Sequence, residues 1–307
     1  MLGKESGKSF LDEKLRSLIL VNEYLSVVKL FNSKSLFFIS LKGPLLSDRI
    51  YTDATVRFSQ NIQFLIKKED FDTVYNLMIY NGYKLCNGEV WPDDRGGQRV
   101  KLNSPHHMTF CKTGAKFMVE IHWLLFQNIP VSLSKFSRIV EESVIETTFN
   151  GELVRCFSHE FELIYIILHG SKHCWSRLKW LVDIKDYPLE GLDSDRFSNL
   201  ISQLSAQRVL TQTNFLLHRY FNTKLPFKGS RRVNSFILGY PLDCINSTLP
   251  DTSSAKESLK RFFYNSLLFP GILYKLRLFT SLIRSGRCTL IAKPGLLDVD
   301  AGQVDYS

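Results

Sequence analysis

Apolar residues Leu11, Leu15, Leu18, Ile19, Leu25, Val28 and Leu30 recur mostly at spacings of three and four, which predicts a helix over 10–32. The run Leu36 to Leu41 is short and apolar and ends at Lys42-Gly43, as a buried strand closing into a turn does. Pro44 suits a first helical turn, and Leu45 to Tyr51 fits one short helix. Ile62, Phe64 and Ile66 alternate with Asn61, Gln63 and Leu65, so a strand is expected over 61–66. A helix over 68–80 follows, with Phe71, Val74, Tyr75 and Met78 on one face and Asn81-Gly82 as its stop. Gly88, Pro92, Gly96, Gly97 and Pro105 make 86–105 a loop or irregular hairpin. Strands are expected over 106–111 and 116–123, joined by the turn Lys112-Thr113-Gly114.

Beyond residue 127 the pattern changes. Long helices are predicted over 159–187 and 195–221, and mainly helical structure over 255–285 with a break at Pro270-Gly271. Residues 224–256 are rich in Pro, Ser, Gly and Asn and read as a linker, and the polar tail 294–307 reads as loose. The expected fold class is α/β (α+β), a small mixed sheet with flanking helices. It would occupy 1–130, with a mainly helical domain over 155–293 and the boundary falling between them.

Composition narrows the function classes. The chain has 307 residues, is 44% hydrophobic and carries a net charge of +9. An excess of positive charge favours phosphate-rich partners: nucleotides, nucleic acid or an anionic membrane surface. The six cysteines stand singly, with no CxxC pair and no zinc spacing, and read as reduced cytosolic thiols. The N-terminal residues mix both charges before any apolar run, which does not suit a signal peptide. The segment Leu267 to Ile283 is interrupted by Pro270, Lys275 and Arg277, so no transmembrane helix is expected. Nucleophile elbows, P-loops, dinucleotide glycine fingerprints and HExxH do not occur.

One ordered set of short motifs remains. Leu41-Lys42-Gly43 precedes Arg57-Phe58-Ser59-Gln60-Asn61-Ile62-Gln63, then His106-His107, then Val119-Glu120-Ile121-His122-Trp123, then a helix carrying His169, His173, Trp175, Leu178, Trp180 and Asp183. In that order these pieces resemble the uncharacterised bacterial nucleotidyltransferase family of the polymerase-β-like superfamily. The family shows a Lys-Gly turn and an Asp-hydrophobic-Asp pair entering the next strand. The resemblance implies transfer of a nucleotidyl group from an NTP to an acceptor. A glycine turn would approach the triphosphate, and two aspartates on one strand face with a third carboxylate would hold Mg2+.

Carried over, Gly43 takes the turn and Glu120 the third carboxylate, hence a metal ligand. The aspartate positions fall on Asn61 and Gln63, and a neutral amide oxygen gives Mg2+ far less than a carboxylate. Three readings of that departure stay open. The chain is a non-catalytic member that binds nucleotide or a partner, or an enzyme whose metal is held by Asp48, Asp53, Asp93 or Asp94, or a sequence altered on purpose.

Lys42, Arg57, Ser59, Lys172 and His173 are candidate nucleotide contacts. Against these stand a solvated turn for Lys42, strand bracing for Arg57 and a turn cap for Ser59. Adjacent His106 and His107 are expected to face opposite sides of their strand, only one toward the site, whereas His122 shares the face of Glu120. Trp123 should face the core. His169, Lys172, His173, Ser176 and Lys179 or Trp180 form one polar and basic stripe. Lys256, Lys260, Arg261, Lys275, Arg277, Arg284, Arg287 and Lys293, interleaved with aromatics, suggest contact with an anionic membrane or nucleic acid, against a simply wetted basic face. The expected location is cytoplasmic, with peripheral attachment to a membrane as the alternative.

Overall fold

The N-terminal pattern forms one helix, α1 (Leu2–Ser33), in a computed structural model that describes residues 2–59, 61–86, 106–115, 117–126, 128–246 and 255–284. Its inward face differs from the expected stripe. Leu15, Leu18 and Ile19 are exposed, while Val21, Tyr24, Val28 and Phe31 are buried. The aromatic rings decide this: Tyr24 and Phe31 each pack at 5.5 Å on Phe64 of the sheet beneath.

The sheet comprises β1 (Phe38–Lys42), β2 (Asn61–Ile66), β3 (Lys84–Leu85), β4 (His107–Cys111) and β5 (Met118–His122). Its spatial order is β1-β2-β5-β4-β3. Only the β2–β5 pair is parallel; the other pairs are antiparallel. Between β1 and β2 lies α2 (Pro44–Tyr51), with Pro44 in its first turn. After β2 a short 3-10 turn (Lys68–Asp70) leads into α3 (Phe71–Tyr80). Alternation along the strands separates two faces. Ile62, Phe64, Met108, Phe110, Val119 and Ile121 join one core with α1 and α3. Asn61, Gln63, His107, Thr109, Glu120 and His122 occupy the opposite face.

The segment 130–155 is structured. Ser132 caps α4 (Leu133–Glu142) by accepting from Lys135 N. A hairpin of β6 (Val144–Phe149) and β7 (Glu152–Phe157) then turns at Asn150-Gly151, both with positive φ. The predicted helix 159–187 divides into α5 (His159–Lys172) and α6 (Lys179–Lys185), because Cys174 and Trp175 take left-handed backbone at φ 55° and 57°. The helix predicted over 195–221 divides likewise into α7 (Ser194–Gln203) and α8 (Gln207–Phe221), with Ser205 at φ 52°. The expected linker contains α9 (Ser235–Asn246) despite its Pro241, and Ile237, Tyr240 and Cys244 of that helix are buried. The chain then forms α10 (Ala255–Leu268) and α11 (Ile272–Arg284). Ile39, Leu41, Leu46 and Leu65 of the sheet region share a second core with residues of α4 through α11.

The expected loop 87–105 with Asp93 and Asp94, residues Gln60, Cys288, Arg287 and Lys293, and the tail 294–307 lie outside the described residues.

Candidate functional site

The site forms where β1, β2 and β5 run side by side. Ser40 pairs with Phe64, but Lys42 pairs with Gln63, so Leu41 is an extra residue on β1. This bulge changes the phase of the strand. Ser40 points into the α1 core, where it accepts from Tyr24 Oη at 3.0 Å, while Lys42 shares a pairing position with Gln63. Lys42 is not a solvated turn residue. It is buried, and its amino group stands 5.2 Å above the ring of Tyr165 on α5. Burial first, and then nearby Arg57, push its pKa well down. Gly43 follows with φ +102° and ψ −140°, a conformation open to glycine alone. A Cβ there would stand 3.9 Å from the carbonyl oxygen of Asn61, which places the turn beside β2.

Gln63 lies opposite Glu120 in the parallel pair, and Asn61 lies two residues earlier on the same face. All three side chains converge. Asn61 Nδ2 donates to Glu120 Oε1, and Gln63 Nε2 donates to Glu120 Oε2 at 2.6 Å. His122 Nε2 lies 3.2 Å from the same Oε2. Burial raises the pKa of Glu120, but the hydrogen bonds from His122 and Gln63 and the neighbouring imidazoles outweigh it, and the net shift is downward. Burial lowers the pKa of His122 despite its bond to Glu120. The contact is therefore a neutral imidazole N–H donating to a carboxylate. Asn61 Oδ1 and Gln63 Oε1 are buried with no hydrogen-bond partner among the described residues.

This donor set does not fit the Mg2+ that the resemblance implies. Both amides turn their NH2 groups onto Glu120, so its two oxygens are occupied by donors rather than presented to a cation. Two carboxylate charges are replaced by neutral groups. Among the alternative carboxylates, Asp53 is tied to Lys14 at 2.9 Å and to Thr55, which hold its pKa down at about 2.

Arg57 neither braces the strand through its side chain nor stands free for a phosphate. Its Nε lies 2.9 and 3.0 Å from the two carboxylate oxygens of Asp183 on α6, and Nη2 lies 2.9 Å from Oδ2, with both side chains buried. The partner is 126 residues away, so local sequence carried no sign of it. A second buried pair, Arg49 with Glu162 at 2.6 Å, fastens α2 to α5. Ser59 caps its own turn by donating to Asn61 O at 2.9 Å.

The predicted basic stripe is drawn inward only in part: His169, Lys172 and Lys179 are half-buried, and His173 is exposed. His169 and His173 pack 4.6 Å apart and lie 5.4 and 5.6 Å from Trp180. Burial pushes the pKa of His169 well down and that of Lys172 downward. Burial first, then Arg57, lowers Lys179 to about 8. Lys42 of β1 stands over Tyr165, whose ring lies 6.1 Å from that of His169, so this end of α5 faces the sheet residues. Tyr165 and Lys179 complete the basic side of the cleft. Tyr165 had no sequence signal beyond its place on an apolar helix.

The expected separation of His106 and His107 does not hold. His107 opposes His122 across the strands, as alternation requires. His106 precedes β4, outside strict alternation, and its ring lies 4.7 Å from that of His107 and 5.9 Å from that of His122. Trp123 packs 4.9 Å from Phe71, on the core side as expected.

The C-terminal basic stretch is partly committed to internal contacts. Arg277 donates to Val131 O at 2.8 Å, and Lys260 pairs with Glu257 at 3.4 Å. The described helices include none long and apolar enough to cross a membrane.

Among solved structures, the lincosamide antibiotic adenylyltransferase LnuA bound to lincomycin shows 17% identity over 54% of this chain and 94% of its own, with a TM-score of 0.36. The antibiotic-resistance factor ANT(2'')-Ia in complex with adenylyl-2''-tobramycin shows 12% identity over 61% of this chain and 95% of its own, at 0.40. Its solution structure shows 11% over 67% and 97%, at 0.39. These scores mark a loose likeness. No curated protein matches. The family described as "Uncharacterised nucleotidyltransferase" matches residues 7–222, more than half of the chain. The chain belongs to this uncharacterised nucleotidyltransferase family.

Proposed function

We propose that this chain binds the phosphates of a nucleoside triphosphate between the Gly43 turn and the C-terminal end of α5, and that Mg2+-dependent nucleotidyl transfer is impaired in it. The observation that carries the reading is the bonding of Asn61 and Gln63 to Glu120: two amide donors stand where the family places two carboxylates. Lys172 and Lys179 supply positive charge in place of a bridging dication, and a phosphate beside Lys42 would restore the charge that burial disfavours there. Gly43 leaves the backbone of the turn accessible to a phosphate. Arg57 acts on the site through Asp183, holding α6 and Lys179 against the sheet.

Calorimetric titration of ATP, GTP, CTP and UTP, each with Mg2+ and with EDTA, tests this. The chain is expected to bind a nucleotide equally well in both conditions. The double substitution Asn61→Asp with Gln63→Asp is expected to add a component that EDTA removes. Failure of both proteins to bind any nucleotide would overturn the reading and leave a scaffold for a protein or nucleic-acid partner. The same fold as a purely non-catalytic binding module is favoured if the double substitution binds nucleotide but shows no Mg2+ dependence.

A second contact is supported by the outer surface of the last two helices. Leu259, Phe263, Ile272, Leu273, Leu276 and Phe279 are exposed there among Lys256, Lys260 and Lys275. That mixture suits peripheral attachment to an anionic membrane. Co-sedimentation with anionic vesicles that persists in high salt supports it, and recovery of the chain in the supernatant at low salt rules it out.

A further inference from the structure

We propose that His106, His107 and His122 form a binding site for a borderline transition-metal dication of the Zn2+ class, with Glu120 as the positioning residue for His122. The cysteines gave no such signal, and a metal role for adjacent His106 and His107 needed two more ligands and was the less favoured reading of the sequence. The site exists only because β4 and β5 pair as they do.

Trp123 N donates to His106 O at 3.2 Å. That bond makes the next pair along, His107 and His122, a non-hydrogen-bonded one, in which cross-strand side chains approach most closely. Their rings stack at 4.9 Å, 27° from parallel. His106 closes the third side. One nitrogen from each ring lies within 4.8 Å of the others. Tetrahedral ligation at about 2.0–2.1 Å separates nitrogens by roughly 3.3 Å. Side-chain rotation of about an ångström therefore closes the site, with no change in the backbone.

Proton positions support the same assignment. Ionised Glu120 can only accept, so His122 Nε2 carries the hydrogen and Nδ1 presents its lone pair. Carboxylate, imidazole and metal in that sequence is a common outer-shell arrangement in metal sites. His107 Nδ1 is buried and has no hydrogen-bond partner among the described residues, which leaves a ligating atom without other employment.

The surrounding charge selects the metal class. Asn61 and Gln63 are neutral, and Glu120 is already bonded to three side chains, so the surroundings offer little free negative charge. A hard dication held by charge alone gains little there. A metal bound through imidazole lone pairs is suited to the three nitrogens. Three protein ligands leave a fourth position for water or a ligand oxygen.

The test uses the untagged full chain, stripped with a chelator and titrated with Co2+ as a visible-absorbing stand-in for Zn2+, with no nucleotide present. One equivalent should produce intense tetrahedral d–d bands that Zn2+ abolishes and Mg2+ does not. His106→Ala and His107→Ala, at half-buried positions, should each weaken binding at least tenfold while circular dichroism confirms the fold. Glu120→Gln should weaken it by roughly 10- to 100-fold. Absence of stoichiometric Co2+ binding, or binding unchanged in both histidine variants, overturns the proposal. Unchanged affinity in Glu120→Gln removes the positioning role. Because nucleotide is absent, this result stands apart from the success or failure of nucleotide binding in the cleft.

Discussion

Glu120 accepts from three side chains, Asn61, Gln63 and His122, and that bonding fixes which way both amides face. The sequence carried this cluster well. Strand alternation puts Asn61 and Gln63 on one face of their strand, and the place of Glu120 two residues before His122 puts that pair on one face of theirs. What pairing alone could supply was the parallel β2–β5 register that brings Gln63 opposite Glu120. Arg57 was less legible, since its carboxylate partner arrives from α6. Breaking that buried pair leaves an uncompensated charge. Asp183→Ala is expected to cost about 3–5 kcal/mol, measured as a lower urea midpoint. The combined change Arg57→Met with Asp183→Leu should recover much of the loss, because the surviving charge is then gone.

At the scale of elements, helices and strands with strong periodicity were found where expected, as was the break at Pro270-Gly271, but the breaks within 159–187 and 195–221 were not expected. The turn at Cys174 and Trp175 inverts the backbone, yet both side chains are fully buried. Trp175 donates from Nε1 to Gln212 at 2.7 Å, and its ring covers Gly170. Tertiary packing overrides helical propensity here. A Cβ on Gly170 would meet Trp175 Cε3 at 2.7 Å, so Gly170→Ala is expected to lower stability by about 1–3 kcal/mol through overpacking. The denaturant midpoint measures it. The β6–β7 hairpin did carry a signal, the Asn150-Gly151 pair, but it lay inside an assumed boundary. The end of α5 also sets a pH response. Burial pushes the pKa of half-buried His169 well below its ordinary 6.5. Below about pH 6.5 the unfolded chain binds a proton there that the folded chain refuses. Stability should therefore fall on acidification below about pH 6.5 and be indifferent to this group above it. Urea midpoints at pH 7.5 and 5.0 give the comparison, with the lower midpoint expected at pH 5.0.

On the scale of the molecule, the last helices belong to the shared core. Tyr264 is fully buried and donates toward Ser171 O and Gln212 Oε1, both at 3.0 Å. These contacts span more than 50 residues of sequence, so composition alone gave only a basic, aromatic stretch. Ending the chain at residue 254 should uncover apolar surface around Gln212 and lower the melting temperature by several degrees, followed by thermal circular dichroism. The site inherits a permanent property from its amide pair. In shape, Asn61 and Gln63 resemble a carboxylic acid pair with the protons locked on. No rise in pH can ionise them, so Glu120 is the one member of this triad that can carry a formal negative charge. An aspartate pair at these positions would instead gain negative charge, and so attract cations, as its acids titrate. In this chain that dial is fixed at one setting, and the net charge of +9 is felt by an incoming phosphate across the whole neutral range.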